Sequence, residues 1–350
     1  MKPLNIAIVF GGCSPEYSVS LQSAYAVLAH LNSEKYTAIP IGITKDGDWF
    51  RYHGDPARIP DDTWWKDPSQ CVPVAVAQNR SVHGMIELLP DGNRATYIDL
   101  AFPVLHGQNG EDGTVQGLFE LAGIPLVGCG TLASALCMDK DRAHKLAVLA
   151  GVAVPDALML EKQDDIAAAQ AFAATTGYPL YVKPVRAGSS YGVSRVEDAA
   201  ALPQAISLAR QYDDHVLIEQ AIPGFEVGCA VMGNEVLTVG EVDEISLCGG
   251  FFNYTEKYTL QTASIHVPAR INRETSNRIK AAAKTLYRAL GCTGFARVDL
   301  FLTPENRIVF NEINTIPGFT EHSRFPAMLR AAGIGFSEML EILIQGAIKK

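Results

Sequence analysis

The segment that most constrains the fold is GFARVDLFLTPENRIVFNEINTIPG, which spans residues 294–318. Two runs rich in apolar residues, 295–302 and 307–314, flank the four residues 303–306, which include a proline and an asparagine. Apolar runs around a short turn of this composition predict a β-hairpin with antiparallel strands. We therefore expect a sheet near the carboxyl-terminal end of the chain, with this hairpin as part of it.

Polar side chains occupy positions of the hairpin where aliphatic residues would be expected. Because side chains alternate between the faces of a strand, Arg297 and Asp299 share one face, and Glu312 and Asn314 share the same side of the second strand. Two carboxylates and an amide oxygen favour Mg²⁺, which proteins usually bind together with substrate phosphates. The pattern predicts a magnesium site for a nucleoside triphosphate, and the alternative is a solvated polar face with incidental ion pairs.

Composition narrows the class of protein. A chain of 350 residues with 48% hydrophobic and 19% charged residues is typical of a soluble protein with two or three domains. The net charge of -9 argues against nucleic acid as a partner. The seven cysteines are scattered without a CxxC pair, which favours a reducing cytoplasm over disulfides or zinc. No apolar run approaches the roughly 18 residues that would predict a membrane span.

The amino-terminal part has the pattern of a Rossmann-like domain without GxGxxG. A buried-strand pattern at 5–10 leads through a glycine turn into an amphipathic helix. Glu16 lies at that turn, where a carboxylate could hold a substrate ammonium group or simply cap the helix. His106 ends another strand just before the glycine-rich loop 107–113. From there it could orient a substrate carboxylate, and the alternative is a structural histidine.

The central part contains a loop of small residues, 187–192, that predicts a phosphate site. Such a loop lets backbone N–H groups approach phosphate closely, and Ser189 and Lys183 add a hydroxyl donor and a positive charge. The loop is not a Walker A motif, because GxxxxGK[ST] is absent. Glu219 and Glu226 flank a predicted hinge where a ribose diol or an adenine amine could be bound.

Other segments give weaker expectations. The loop 246–264 is long and aromatic, and with Lys257 it predicts a lid that excludes water from a reactive intermediate. The segment 131–152 reads as one helix, and 235–244 reads as one strand. Residues 46–96 have too little periodicity to be assigned a role.

Taken together, these residues resemble the family of D-alanine:D-alanine ligases and their vancomycin-resistance relatives. The motifs that carry the resemblance follow family order along essentially the whole chain: EYSVSLQSA, LHGQNGEDGTVQGLFELAGIPLVG, ASALCMDK, KPVRAGSSYGVSRV, EQAIPGFEVG, YTEKY, GFARVDLFL and NEINTIPGFTEHS. The resemblance implies an α/β protein with the three-domain ATP-grasp fold and a Rossmann-like amino-terminal domain. It implies domains at 1–136, 137–223 and 224–350, and a homodimer formed through the first of them.

The resemblance also implies roles for individual residues. ATP would be bound by Lys140, Lys183, Glu219, Gln220, Ile222, Glu226 and Lys257, the last of which reaches the γ-phosphate. Two Mg²⁺ ions, with Mn²⁺ as the alternative metal, would be held by Asp299, Glu312 and Asn314. A hydrogen-bonded set at the site of the first D-alanine would consist of Glu16, Ser189 and Tyr258, with His106 assisting.

The implied reaction forms a dipeptide in two steps. The carboxylate of a first D-alanine takes the γ-phosphate of ATP and gives an acyl phosphate, which the lid protects from water. The amine of a second D-amino acid then attacks, and Arg297 with the Gly318 N–H would stabilise the oxyanion. Ligases that make a D-lactate ester lack the EKY sequence of the lid, so Lys257 and Tyr258 favour an amine nucleophile.

The identity of the second substrate is the finer question. Ordinary D-alanine ligases typically carry a small apolar residue after the histidine–serine pair, whereas here Ser323 is followed by Arg324. The D-serine ligases of the resistance group resemble this chain in that arginine and in Phe252. An arginine donor could bond a serine hydroxyl, so D-serine is predicted and a second D-alanine is the alternative. The alternative for Arg324 itself is a surface ion pair with Glu321 or another acid.

Overall fold

The protein is described from a computed structural model, in residues 2–164, 166–247 and 263–349. Its elements form three β-sheets that follow one another along the chain and are covered by helices. This architecture confirms the predicted α/β class. Within the described ranges, no helix combines the length and the apolar composition needed to cross a bilayer.

The first sheet combines a parallel core with an antiparallel extension. Its strands are β1 (Leu4–Gly11), β2 (Tyr36–Ile43), β3 (Trp49–Tyr52), β4 (Cys71–Val76), β5 (Gly84–Glu87), β6 (Arg94–Tyr97) and β7 (Leu100–Pro103). β1 lies between β2 and β7 and is parallel to both. β2 to β6 continue the sheet as antiparallel neighbours. The parallel core is the Rossmann-like part that the sequence predicts.

Residues 46–96, to which the sequence assigns no role, supply this antiparallel extension. Trp64 attaches the connecting segment to the core, because its side chain is fully buried. Its ring makes edge contacts with Phe10 and Tyr52 at centroid distances of 5.2 and 5.9 Å. It also packs so closely on Gly42 that an added Cβ would lie 2.3 Å from it. The segment therefore completes the first sheet.

A buried ion cluster ties the outer strands of this extension together. Glu87 has a fully buried side chain that accepts hydrogen bonds from Arg51, Arg94 and Thr96, the last at 2.6 Å. Burial alone would raise the pKa of Glu87, but these three donors lower it from 4.5 to about 2. Between pH 4.5 and about 2, Glu87 is therefore protonated in the unfolded chain and still ionised in the folded protein.

Replacing Glu87 with glutamine is expected to reduce the free energy of unfolding by about 2 kcal/mol at pH 7, because the bonds to a charged acceptor are lost. Since the folded pKa of Glu87 is depressed, the wild-type advantage should be complete above pH 4.5 and shrink as the pH falls towards 2. Urea unfolding of both proteins from pH 3 to 7 measures the difference. Glu235→Gln at an exposed position is the control, and a constant difference at every pH would contradict the assignment.

The second and third sheets are antiparallel. The second contains β8 (Ala157–Leu160), β9 (Leu180–Pro184), β10 (Ser194–Val196) and β11 (Val216–Gln220). The third contains β12 (Phe225–Gly233), β13 (Leu237–Val239), β14 (Asp243–Leu247), β15 (Ala263–His266), β16 (Phe295–Leu302) and β17 (Ile308–Asn314). The described helices are α1 (Tyr17–His30), α2 (Thr114–Ala122), α3 (Thr131–Met138), α4 (Lys140–Leu149), α5 (Ile166–Thr176), α6 (Leu202–Ala209), α7 (Arg273–Ala289), α8 (Arg324–Ala331) and α9 (Phe336–Ile348).

Two predicted elements are each divided in the structure. The helix expected over 131–152 is interrupted at Asp139, which leaves helical geometry and caps α4 by accepting from the Arg142 N–H at 3.0 Å. The strand expected over 235–244 is divided into β13 and β14. Between them the Glu241 N–H donates to the Met328 carbonyl of α8 at 2.9 Å, so a docked helix takes the place of strand pairing.

An aromatic cluster joins the first sheet to the third. Phe102 on β7, Phe295 on β16 and Phe319 are fully buried, with ring centroids 5.2 to 6.3 Å apart. Phe325 of α8 lies 5.7 Å from Phe319 in a stacked arrangement. The loop that follows β17 is therefore fixed from both sides, which matters because it carries Gly318.

Candidate active site

The hairpin of β16 and β17 brings together the four polar residues that the sequence predicts on one of its sides. Arg297 lies opposite Asn314 and Asp299 lies opposite Glu312, with a bulge just after Asp299. Partners directly opposite on antiparallel strands share a face, so all four side chains project to the same side. The predicted hairpin, with both polar pairs on the same side, is confirmed.

Asp299 is the most buried acid of this group, with 1% of its side chain exposed. The fork of Arg297 bonds it through Nε at 2.9 Å and Nη2 at 2.7 Å. Asn314 Nδ2 donates to the same carboxylate at 2.9 Å, and Arg324 Nη2 lies 3.4 Å away. Asp299 therefore holds the side chains of Arg297 and Asn314 in place and also offers oxygen ligands. The amide oxygen of Asn314 remains available as an acceptor.

Glu312 is more accessible and lies near a lysine. Its Oε2 is 3.8 Å from Lys140 Nζ, which also donates to the Ala187 carbonyl at 2.7 Å. Among the described residues, no three His, Cys, Asp or Glu side chains form a closed metal cage. The donor set of Asp299, Glu312 and Asn314 suits Mg²⁺, which binds through one or two carboxylates and takes its other ligands from phosphate and water.

Glu16 and Ser189 meet across the boundary between the first and second sheets. The Ser189 hydroxyl donates to Glu16 Oε1. Ser189 has φ +48° and Ser190 has φ +60°, a left-handed conformation that holds the small-residue loop in a tight bend. Gly107 and Gly188 pack closely on the acid, because a Cβ on either would lie 2.6 or 2.8 Å from Glu16 Oε2 and would displace that carboxylate.

His106 is buried, and both of its ring nitrogens are engaged by the protein. Nδ1 lies 2.7 Å from the Ile316 carbonyl oxygen, so it carries the proton and donates. Nε2 is 3.3 Å from the Ser23 hydroxyl, whose oxygen in turn accepts from the Phe319 N–H at 3.1 Å. Burial lowers the pKa of His106, which favours this neutral form. His106 thus holds the loop after β17, and its assistance to the first D-alanine stays a prediction.

Glu111 binds the same loop and was not singled out from the sequence. Its Oε1 accepts from the Ile316 N–H at 3.0 Å, and its Oε2 accepts from the Gly107 N–H at 2.8 Å. Burial and the nearby charge of Glu16 raise the pKa of Glu111 to about 8. Its only sequence signal is its place in the glycine-rich loop.

The lysine and acid of the predicted nucleotide site are paired beneath the small-residue loop. Lys183 Nζ lies 2.6 Å from Glu219 Oε2, and both side chains are buried. Gln220, the last residue of β11, uses its N–H to bond the Asp156 carbonyl at 2.9 Å, and Ile222 follows two residues later. His144, four residues after Lys140 on α4, also faces Glu219, and sequence reasoning missed it.

Arg324 lies in the interior, not on the surface. Its Nε and Nη2 bond Asp243 at 2.6 and 2.9 Å, and its Nη1 bonds Glu226 at 2.9 Å. Burial alone would lower the pKa of Arg324, but Asp243, Asp299 and Glu226 hold it well above its usual value. The suggested pairing with Glu321 is wrong, because that acid binds His30 at 2.7 Å. Glu226, implied to hold ATP, contacts this guanidinium.

The remaining predicted residues fall into two groups. Ser323 directly precedes α8, and its Oγ accepts from the Thr320 N–H at 3.1 Å. A Cβ on Gly318 would be 3.0 Å from that oxygen, so Gly318 and Ser323 are in contact. Phe252, Lys257 and Tyr258 lie outside the described residues, as does most of the predicted lid. Of the proposed set of Glu16, Ser189 and Tyr258, the structure therefore describes Glu16 and Ser189.

Comparison with known proteins identifies relatives along the chain. The family model for the carboxyl-terminal part of D-Ala D-Ala ligases matches residues 146–345, and the amino-terminal model matches residues 5–129. The vancomycin/teicoplanin A-type resistance protein VanA of Enterococcus faecium is 45% identical, with 100% of each chain covered. The D-alanine–D-alanine ligase of Caldicellulosiruptor bescii is 42% identical over 100% of this chain and 96% of its own. The crystal structure of the VanG D-Ala:D-Ser ligase from Enterococcus faecalis is similar with a TM-score of 0.92 and 55% identity, over 98% of this chain and 99% of that one.

Proposed function

Because the chain belongs to the D-alanine–D-alanine ligase family of ATP-dependent ligases with the ATP-grasp fold, we propose that it joins D-alanine to D-serine. The dipeptide would serve as a peptidoglycan precursor in vancomycin resistance, made in the cytoplasm by a homodimer. The observation that carries the choice of D-serine is the buried guanidinium of Arg324 beside Asp299. The D-Ala:D-Ser ligase named among the similar structures supports the same choice.

The donor count of Arg324 supports a role in recognising a hydroxyl. A guanidinium has five N–H groups, and Asp243 and Glu226 take three of them at hydrogen-bond distance. One N–H on Nη1 is left for another acceptor, since Nη2 also lies 3.4 Å from Asp299 Oδ1. A serine hydroxyl could accept from that Nη1 N–H, whereas the methyl of D-alanine could not. Leaving that donor unbonded costs roughly 1 to 3 kcal/mol, a preference of ~10- to 100-fold.

The proposed mechanism assigns each step to residues around the hairpin. Glu16, with Ser189, binds the ammonium group of the first D-alanine, so that its carboxylate faces the γ-phosphate of ATP. Lys140 and Lys183 balance phosphate charge, and Mg²⁺ held by Asp299, Glu312 and Asn314 would supply further neutralisation there. The free amine of the second substrate attacks the carbonyl carbon of the D-alanyl phosphate and loses a proton, and inorganic phosphate leaves as the new C–N bond replaces the C–O bond. Arg297 and the Gly318 N–H then donate to the oxyanion of the tetrahedral intermediate.

Synthesis of D-alanyl-D-alanine is the alternative, and one observation favours it. The ion pairs with Asp243 and Glu226 account for the burial of Arg324 without any ligand. On this interpretation the arginine is structural, and the second site accepts a methyl side chain. A D-alanine–D-alanine ligase among the relatives keeps this alternative open.

The expected product distinguishes the two functions. With ATP, Mg²⁺, D-alanine and an equal concentration of D-serine, wild-type protein should make D-alanyl-D-serine in ~10- to 100-fold excess over D-alanyl-D-alanine. Phosphate release measures turnover, and mass spectrometry measures the ratio of dipeptides. A product that remains D-alanyl-D-alanine under these conditions would refute the D-serine assignment.

The variant that tests Arg324 has to keep its positive charge. Arg324→Leu would leave Asp243 buried and unpaired, at a cost of about 3 to 5 kcal/mol, so loss of activity could reflect unfolding. Arg324→Lys keeps a cation but loses the fork, and it should lower the preference for D-serine about tenfold. Arg330→Lys, on an exposed part of α8, is the matched control and should leave the ratio unchanged.

A further inference from the structure

A short segment after α6, residues 212–215, holds the start of the small-residue loop 187–192. The side chain of its Asp213 is only 5% exposed. This carboxylate accepts from the Arg186 N–H at 2.9 Å and from the guanidinium fork of Arg186 at 2.9 and 2.7 Å. The His215 carbonyl accepts from the Val185 N–H at 3.1 Å. The chain therefore enters the loop at a fixed position.

The Asp213 carboxylate is kept ionised by its donors. Burial alone would raise its pKa, but the bonds from Arg186 and from the His215 N–H, at 3.1 Å, hold the pKa below its usual value. A guanidinium that bonds a carboxylate through two N–H groups is restricted in direction as well as in distance. This anchor is therefore stiffer than a single hydrogen bond between neutral groups.

The neighbouring residue, Tyr212, holds the other end of the loop by packing. Gly192 has φ +69°, and a Cβ there would lie 2.6 Å from Tyr212 Cδ2 and 2.9 Å from Pro184 Cγ. The glycine therefore packs against both the tyrosine ring and the end of β9. The ring of Tyr191 also meets that of Tyr212, with centroids 6.2 Å apart. Because about half of Tyr212 is exposed, it covers the end of the loop from the solvent side.

The middle of the loop is strained and reaches away from the 212–215 segment. Ser189 and Ser190 have left-handed backbone conformations, which residues other than glycine rarely adopt unless their surroundings enforce them. Ser189 extends to the boundary with the first sheet, where its hydroxyl donates to Glu16 Oε1. Restraints at both ends of the loop narrow the conformations open to this strained middle.

We propose that the 212–215 segment is a positioning element for the small-residue loop, in which Asp213 fixes the start of the loop and Tyr212 fixes its end. The fixed loop then presents its N–H groups to phosphate and Ser189 to Glu16. The inference rests on the proposed binding of ATP by this loop. Asp213 and Tyr212 act through the loop, so they set the fraction of molecules in the binding conformation. The apparent dissociation constant rises as that fraction falls.

Hydrogen exchange of the protein without nucleotide tests the positioning itself. Inside the loop, the Tyr191 N–H donates to the Gly188 carbonyl at 3.2 Å, so this amide reports on the order of the loop. Tyr212→Ala should speed exchange in peptides that cover residues 186–193 about tenfold and leave the third sheet unchanged. Tyr212→Phe keeps the ring and should exchange like the wild type. Unchanged exchange in Tyr212→Ala would overturn the inference.

Titration calorimetry with ATP and Mg²⁺ tests the consequence for binding. Tyr212→Ala and Asp213→Asn should each raise the dissociation constant about tenfold, because the loop would keep its binding conformation in about a tenth of the molecules. The KM of the first D-alanine should rise as well, since Ser189 bonds Glu16. At saturating substrates, kcat should change less than about threefold. A loss confined to kcat would indicate general damage and overturn the inference.

Two matched substitutions control for local damage. Asp214→Asn changes the next acid of the same segment, which is 56% exposed and pairs with Lys162 at 3.1 Å. Tyr97→Ala removes a second tyrosine that is about half exposed, in the first sheet. Both should leave the exchange of the loop and the affinity for ATP unchanged. Equal effects of Asp214→Asn and Asp213→Asn would contradict the role of Asp213.

Failure of the inference and failure of the proposed function give different results. Wild-type protein that binds no ATP refutes the proposed function, while hydrogen exchange still tests whether the 212–215 segment orders the loop. Wild-type protein that binds ATP, with undiminished affinity in Tyr212→Ala and Asp213→Asn, refutes only the positioning role.

Discussion

Replacing Asp299 with asparagine is expected to lower turnover about 10³-fold and the free energy of unfolding by about 3 kcal/mol. The Asp299 carboxylate bonds the fork of Arg297 and the amide of Asn314, and Arg324 Nη2 lies 3.4 Å away. A neutral amide leaves an excess of buried positive charge and removes a ligand proposed for Mg²⁺. Phosphate release with both amino acids measures turnover, and urea unfolding measures stability.

Glu312→Gln is the matched comparison, because Glu312 lies directly opposite Asp299 on the hairpin. It is more exposed, at 20% of its side chain, and Lys140 is 3.8 Å away. We expect a similar loss of turnover with less than about 1 kcal/mol of destabilisation, since the interaction is partly solvated. Both variants should also need more Mg²⁺ for half-maximal turnover. If Asp299→Asn and Glu312→Gln need no more Mg²⁺ than the wild type for half-maximal turnover, the hairpin carries only a structural ion network.

The hairpin was predictable because its turn and its alternation of side chains are local. With a period of two and a short turn, the two polar pairs had to share one side once both strands formed. The exact pairing of Asp299 with Glu312 also depends on the bulge just after Asp299, which has no local signal. Residues 46–96 were not predictable, because their short strands are stabilised by pairing with β2 and by the burial of Trp64.

The candidate site was predictable only where a motif carried it. Glu16 and Ser189 are 173 residues apart, and their hydrogen bond follows from the family resemblance and not from any periodicity. Arg324 was singled out by its position after Ser323, but its partner Asp243 is 81 residues away and has no local signal. The Arg324–Asp243 pair depends on how α8 docks on the third sheet, which is decided by packing over the whole domain.

Replacing Glu111 with alanine is expected to lower turnover about 10²-fold, because this residue and His106 hold the peptide of Ile316 from both sides. Glu111 accepts from the Ile316 N–H at 3.0 Å, and His106 Nδ1 donates to the Ile316 carbonyl at 2.7 Å. Gly318, the proposed oxyanion donor, is two residues further on, and a displacement of about 1 Å at such a donor costs on the order of 100-fold. The affinity for ATP should change much less than kcat.

The dependence on pH separates this positioning role from simple destabilisation. The folded pKa of Glu111 is raised to about 8 from 4.5, so the folded protein keeps a proton that the unfolded chain releases. Stability should therefore fall as the pH rises from 4.5 to 8 and then level off, and Glu111→Gln should remove this decline. Gln116→Ala is the control, because Gln116 is buried in the first turn of α2 and donates to the Gly110 carbonyl of the same loop at 2.7 Å, with no hydrogen bond to Ile316. We expect Glu111→Ala and Gln116→Ala both to lose stability, and only Glu111→Ala to lose kcat. Equal losses of kcat would mean that any damage to this loop has the same effect.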